Sequence, residues 1–78
     1  MAQYRSKRIK VIEAEQFWPD KPWPKSVQIS DQGPCVTTIH GQRAFLNPGD
    51  WIITEPGGYY HYPCKPEIFA DTYEPVSP

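Results

Sequence analysis

Apolar and polar positions alternate with a period of two over most of the chain, and that period predicts strands. Residues 7–17 read as a first strand, with Ile9 and Val11 on one parity and Ile12 and Ala14 on the other. The change of phase near Val11-Ile12 fits either a bulge or a strand covered on both faces. Val27-Gln28-Ile29 is a short alternating strand, closed by Asp31-Gln32-Gly33-Pro34. Residues 35–40 are β-branched and alternating; Gly41 turns the chain, and residues 42–46 return as a hairpin partner. Asn47-Pro48-Gly49-Asp50 is a strong turn signal, with proline fixing φ and glycine able to take φ > 0. Trp51-Ile52-Ile53-Thr54 is dense enough in apolar residues for a central, buried strand. Pro56-Gly57-Gly58 turns the chain again, and residues 59–62 form the next strand.

A single short helix is predicted after Pro63-Cys64-Lys65. Pro66 suits the first helical position, and Glu67 complements the positive end of the helix dipole. Ile68, Phe69, Thr72 and Tyr73 share one helical face, so that face should pack on the sheet. Glu74-Pro75 ends the helix, and Val76 adds a last edge residue. The sum is an α+β, mainly β domain: a small antiparallel sheet or mini-barrel with one short C-terminal helix. Residues 1–78 form one domain, in which 1–6 are expected to be flexible. Residues 18–26 form a Trp/Pro-rich loop, because three prolines within residues 19–24 impose extended geometry and exclude a regular element.

Composition adds two unusual features, ten prolines and 14% aromatic residues among 78. A core of this length supplies about 3–5 kcal/mol of net stability unless something staples it, so self-association as a homo-oligomer would be advantageous. The formal charge is −1, but Arg5, Lys7, Arg8 and Lys10 crowd the start while Glu67, Asp71 and Glu74 crowd the end. Either the two ends lie side by side and neutralise each other, or the basic group is a phosphate-binding patch. A balance this close to zero does not favour general nucleic-acid binding. The basic start runs into Val11-Ile12-Glu13 rather than an apolar stretch, which is not a secretory signal. No apolar run is long enough to span a bilayer. The chain therefore reads as cytoplasmic, with Cys35 and Cys64 as reduced, buried thiols.

Catalytic chemistry finds little support. Cys35, His40, His61 and Cys64 resemble a zinc set, but Cys35 and His40 are an odd number of positions apart on one strand and face opposite sides. Their spacing also lacks the tight knuckles of structural zinc, so no metal or cofactor is expected. Cys64 lies between two prolines beside an apolar helix face, where a thiol is usually inert packing. Glu13 and Glu15 share one face of the first strand, an arrangement commonplace on solvent-facing strands. No catalytic residue is assigned, and the chain is not read as an enzyme. The aromatics say more: Trp18, Trp23, Tyr59, Tyr60 and Tyr62 exceed what a small core can comfortably bury. Trp18, Trp23, Tyr59, Tyr60 and His61 form the candidate partner-binding surface. Arg5, Lys7, Arg8 and Lys10 beside Tyr59 and Tyr60 form an alternative site for a nucleotide or nucleic acid.

Two parts of the chain carry a family likeness. One is Tyr4-Arg5-x-Lys7 with Val11-Ile12-Glu13-Ala14-x-Gln16-Phe17. The other is Pro48-Gly49-Asp50-Trp51-Ile52-Ile53, then Tyr62-Pro63-Cys64-Lys65-Pro66-Glu67-Ile68-Phe69 and Thr72-Tyr73-Glu74-Pro75-Val76. Together they resemble a widespread family of small bacteriophage and prophage proteins. The resemblance covers both ends, while residues 19–46 do not match, and Gly57-Gly58-Tyr59-Tyr60 departs from a lysine-containing hairpin of the family. It implies a setting in the cytoplasm of an infected or lysogenic bacterium and no particular activity. Three functions follow as expectations. The first is a non-enzymatic protein that binds a host or phage protein, with inhibition of a host defence system as the expected role. The others are a nucleotide or nucleic-acid binder and a minor virion or assembly component.

Overall fold

A computed structural model describes residues 2–6 and 11–75, and the chain is mainly β with one short helix near its C-terminus. The strands are β1 (Ala2–Ser6), β2 (Val11–Gln16), β3 (Gln28–Ser30), β4 (Gly33–Thr37), β5 (Arg43–Phe45), β6 (Trp51–Thr54) and β7 (His61–Cys64). Helix α1 (Pro66–Thr72) follows, and β8 (Tyr73–Pro75) ends the described chain. All pairings are antiparallel, and they build open sheets: five strands in the order β7-β6-β2-β1-β8 and three in the order β3-β4-β5.

The five-stranded sheet is apolar on both faces where β6 crosses it. In β2, Ile12 and Ala14 are buried while Val11 and Glu13 are exposed, so the strand alternates simply from Val11 onward. Opposed residues share a face: Tyr4 meets Ile12, Ala14 meets Ile53, and Ile53 meets Tyr62. Ile12, Ala14, Ile53 and Phe69 form one core cluster, with Tyr4, Trp51, Tyr62, Cys64 and Tyr73 packed around it. Ile52, one residue along, points the other way and joins Phe17, Val36 and Leu46 in a second cluster under the three-stranded sheet. Adjacent apolar residues in a strand mean cover on both sides, and Ile52-Ile53 meets that condition.

The Asn47-Pro48-Gly49-Asp50 turn joins these layers. Gly49 holds φ at +88°, and the Asp50 amide donates to the Asn47 carbonyl at 3.0 Å. The buried Asp50 carboxylate accepts the Asn47 amide at 2.9 Å. The turn is tied to the end of β2 by Phe17 N to Asp50 O, Gly49 N to Phe17 O, and Gln16 Nε2 to Gly49 O, at 2.7, 2.8 and 3.0 Å. That ladder carries Phe17 off the strand and into the second core cluster.

Several boundaries and faces differ from the sequence expectation. Residues 2–6, expected to be flexible, form β1 inside the five-stranded sheet, hydrogen-bonded to β2 and β8. β1 and β8 pair the first and last described strands, with Arg5 directly opposite Glu74 in the register. The turn before β7 is longer than expected: Gly57 and Gly58 both hold positive φ, and Glu55 N bonds to Tyr60 O at 2.8 Å. Tyr59 and Tyr60 therefore stay in the turn, and β7 runs on through Pro63 and Cys64. Proline is tolerated there because β7 is an edge strand, where a missing N–H breaks no ladder.

The helix also differs. Phe69 is its one buried residue, while Ile68 is 54% exposed and Thr72 is exposed. A helix of seven residues lying on a sheet makes contact through a single turn, and the 100° step takes Ile68 out of it. Phe69 stacks on Trp51 at 4.1 Å between centroids and meets Tyr4 edge-on at 4.9 Å. Tyr73 packs on Phe69 from β8, not from the helix, and its hydroxyl bonds to Tyr62 from the opposite edge of the sheet. Val76, Ile9 and the basic residues Lys7, Arg8 and Lys10 lie outside the described residues.

Candidate functional site

The Trp/Pro-rich segment between β2 and β3 is closed by its own backbone. Lys21 N donates to Trp18 O at 3.2 Å and Val27 N to Pro24 O at 3.1 Å. The indole Nε1 of Trp23 donates to the Pro19 carbonyl at 3.2 Å. Its ring lies 5.5 Å from that of fully buried Phe17, tilted by 60°. An exposed loop is thus hung from the core through one aromatic contact.

This loop forms one wall of a cleft of about 570 Å³ lined by Glu15, Trp23, Pro24, Lys25, Ser26, Gly58 and His61. Glu15 comes from β2 and His61 from β7. Their registers, Glu15 with Ile52 and Thr54 with His61, put both on the face of the sheet that Glu13 shares. Glu15 is half-buried in the cleft wall, whereas Lys25 is exposed at its rim. Burial pushes the His61 imidazole below its ordinary value of 6.5, so the ring is neutral near pH 7. The turn that supplies Gly58 carries Tyr59, 84% exposed, and Tyr60. On the other side of Gly58 lies a second cleft of about 350 Å³, whose lining includes Glu13, Thr54, Glu55 and Tyr62.

Of the residues singled out in the sequence, Trp23 and His61 meet in the cleft, and Tyr59 and Tyr60 stand beside it. Trp18 does not line it: a Cβ at Gly49 would stand 3.4 Å from the Trp18 ring and from Pro66, which places Trp18 over the Asn47–Asp50 turn, near the first residue of the helix. Tyr62, counted among the surplus aromatics, packs against the first core cluster. Arg5 occupies an interior strand, and Lys7, Arg8 and Lys10 are not described, so the alternative phosphate site has only its tyrosines in view. Glu15 was legible only as half of a carboxylate pair, and Lys25 had no signal at all. Both enter the site through tertiary placement.

The cysteine chemistry resolves by face. His61 and Cys64 are three positions apart on β7 and point to opposite sides of the sheet, so thiol and imidazole do not form a dyad. Cys64 packs against the helix-side core, where burial and then the carboxylates of Asp50 and Glu67 push its thiol up. A thiol held protonated is a poor nucleophile. Cys35 is buried on β4, and His40 is exposed at the β4–β5 hairpin tip. Among the described residues, no three His, Cys, Asp or Glu side chains cluster closely enough to hold a metal. No helix among them is long and apolar enough to cross a membrane. Comparison with protein-family models, with curated proteins and with solved structures finds no match.

Proposed function

We propose that this domain is a non-enzymatic binding protein that engages another protein through the Trp23 cleft and the Tyr59-Tyr60 turn beside it. The observation that supports this reading most is the pairing of a core-anchored tryptophan, bordering a concave site, with a tyrosine 84% exposed on the adjoining turn. Aromatics anchored on one side and open on the other supply contact area at little cost in side-chain entropy. A specific interface takes roughly 800 Å² from each partner, about one seventh of the 5588 Å² that this chain exposes. The partner must therefore cover cleft, turn and loop together. The resemblance to small phage proteins supports a host protein in an infected bacterium as the target, with inhibition of a defence system as the biological outcome.

Tyr59 and Tyr60 also favour a second reading, stacking on a nucleotide or a single-stranded nucleic acid. The carboxylates of Glu13, Glu15 and Glu55 lining the two neighbouring clefts count against phosphate there. The two readings separate when tagged protein is expressed in bacteria during infection and recovered at moderate salt, as wild type, Tyr59→Ala and Trp23→Ala. A stoichiometric protein recovered with the wild type and lost with Tyr59→Ala is the expected result, since that side chain is solvent-exposed and its removal leaves the fold intact. Recovery of nucleic acid that is released as salt rises transfers the assignment to the second reading. Equal recovery by all three forms overturns the aromatic surface.

A further inference from the structure

Resting on that protein-binding reading, we propose that the Trp23 cleft takes an arginine side chain of the partner, its guanidinium laid on the indole and its N–H fork paired with the Glu15 carboxylate. Trp23 sets the first condition. Its only donor, Nε1–H, is committed to the Pro19 carbonyl at 3.2 Å, so the indole offers a visitor its π-face alone. A proline-rich segment, whose carbonyls call for donors, is poorly matched to such a ring. A cation or a planar group is well matched.

Glu15 sets the second condition. The residue as a whole is half-buried in the cleft wall, and no described residue donates a hydrogen bond to its carboxylate or pairs with it. A carboxylate that no described residue pairs with, lining the same cleft as an aromatic ring, favours a cationic guest over a neutral one. His61 does not offset that charge, since burial keeps its imidazole neutral. Lys25 carries the opposing charge, but it is exposed at the rim, where solvent and salt screen it. Past Gly58 the surface continues into the neighbouring cleft with Glu13 and Glu55, so residues flanking the arginine meet carboxylates as well. Arginine fits better than lysine because a flat guanidinium can stack on a ring and still present a two-toothed fork to a carboxylate.

The test titrates the folded domain with acetyl-Gly-Arg-Gly-amide, with its citrulline analogue and with a pentaproline peptide. Two-dimensional NMR follows the Trp23 indole N–H and the amides around Glu15 and His61. The arginine peptide should shift these signals and saturate in the roughly millimolar range. Citrulline keeps the shape and loses the charge, and should bind about tenfold more weakly, as should the arginine peptide to Glu15→Gln. Lys25→Ala, which removes the opposing charge, should strengthen binding of the arginine peptide. Equal binding of arginine and citrulline, undiminished binding to Glu15→Gln, or the absence of any shift overturns the proposal. Tighter binding of pentaproline at the same signals also overturns it and leaves the protein-binding reading in place. That reading fails separately, when the wild type recovers no protein partner.

Discussion

Phe69 is the single buried contact between α1 and the sheet, and its replacement measures what holds the helix down. A seven-residue helix has no stability of its own in water, because nucleation outweighs the few bonds it can form. Its position rests on one ring that stacks on Trp51, meets Tyr4 edge-on and touches Tyr73 at 5.1 Å. Truncating a buried phenylalanine to alanine costs about 3–5 kcal/mol. A core of this size supplies about the same amount, so Phe69→Ala should leave the domain close to its unfolding midpoint without denaturant. Phe69→Leu keeps most of the apolar burial and loses the ring contacts. At about 0.5–1.5 kcal/mol per aromatic pair, shared by one ring and so less than additive, it should cost about 1–3 kcal/mol. Ile68→Ala, one residue away but 54% exposed, should stay within about 0.5 kcal/mol of wild type. Equilibrium urea unfolding, read by tryptophan fluorescence and far-ultraviolet circular dichroism, separates the three. At a slope of about 1 kcal/mol per molar for so small a domain, the leucine variant should lower the midpoint by about 1–3 M. An alanine variant within about 0.5 M of wild type would refute the claim that this contact holds the helix and β8 in place.

Two further measurements probe the turn and the titrating groups. Asp50→Ala removes the buried acceptor of the Asn47 amide and should cost about 1–3 kcal/mol, with Asp50→Asn losing less. An unchanged melting temperature for the alanine variant would show that the turn does not depend on this carboxylate. Stability should also form a plateau in pH. Burial lowers the His61 pKa, so the folded state binds fewer protons than the unfolded state. That contribution is complete above the ordinary value of 6.5 and is lost as pH falls through the folded one. Burial raises Cys64 above 9.0, and burial together with the bond to Tyr73 raises Tyr62 above 10.0. Their contribution is complete below those values and lost as pH climbs past them. Melting temperatures across pH should therefore fall on both sides, and His61→Gln should flatten the acid side; an acid limb identical to wild type would contradict this assignment.

Much of the architecture is readable along the chain because it depends on neighbours. Alternation in β2 marks Ile12 and Ala14 as the inward pair, and the unbroken Trp51-Ile52-Ile53 run marks a strand covered twice. Proline and glycine chemistry places the Asn47–Asp50 turn, and Pro66 with Glu67 places the helix start. β1 escapes such a reading. Between polar Gln3 and Arg5 a lone Tyr4 is too little to mark an apolar stripe, and the segment is a strand because β2 and β8 flank it.

The candidate site divides along the same line. Trp23, Tyr59, Tyr60 and His61 stand out by residue type and by their turn-rich surroundings. That Trp23 and His61 share a cleft while Trp18 lies over Gly49 is a matter of which way the loop closes. Glu15 joins them because β6 lies between β2 and β7 and keeps both residues on one face. By itself the sequence determined what local period and turn chemistry can encode: the strands with strong alternation, the main turns and the one helix. The tertiary structure alone decided which side chains meet. Register and the cover on each sheet face join residues far apart in the chain, and no local pattern carries that information.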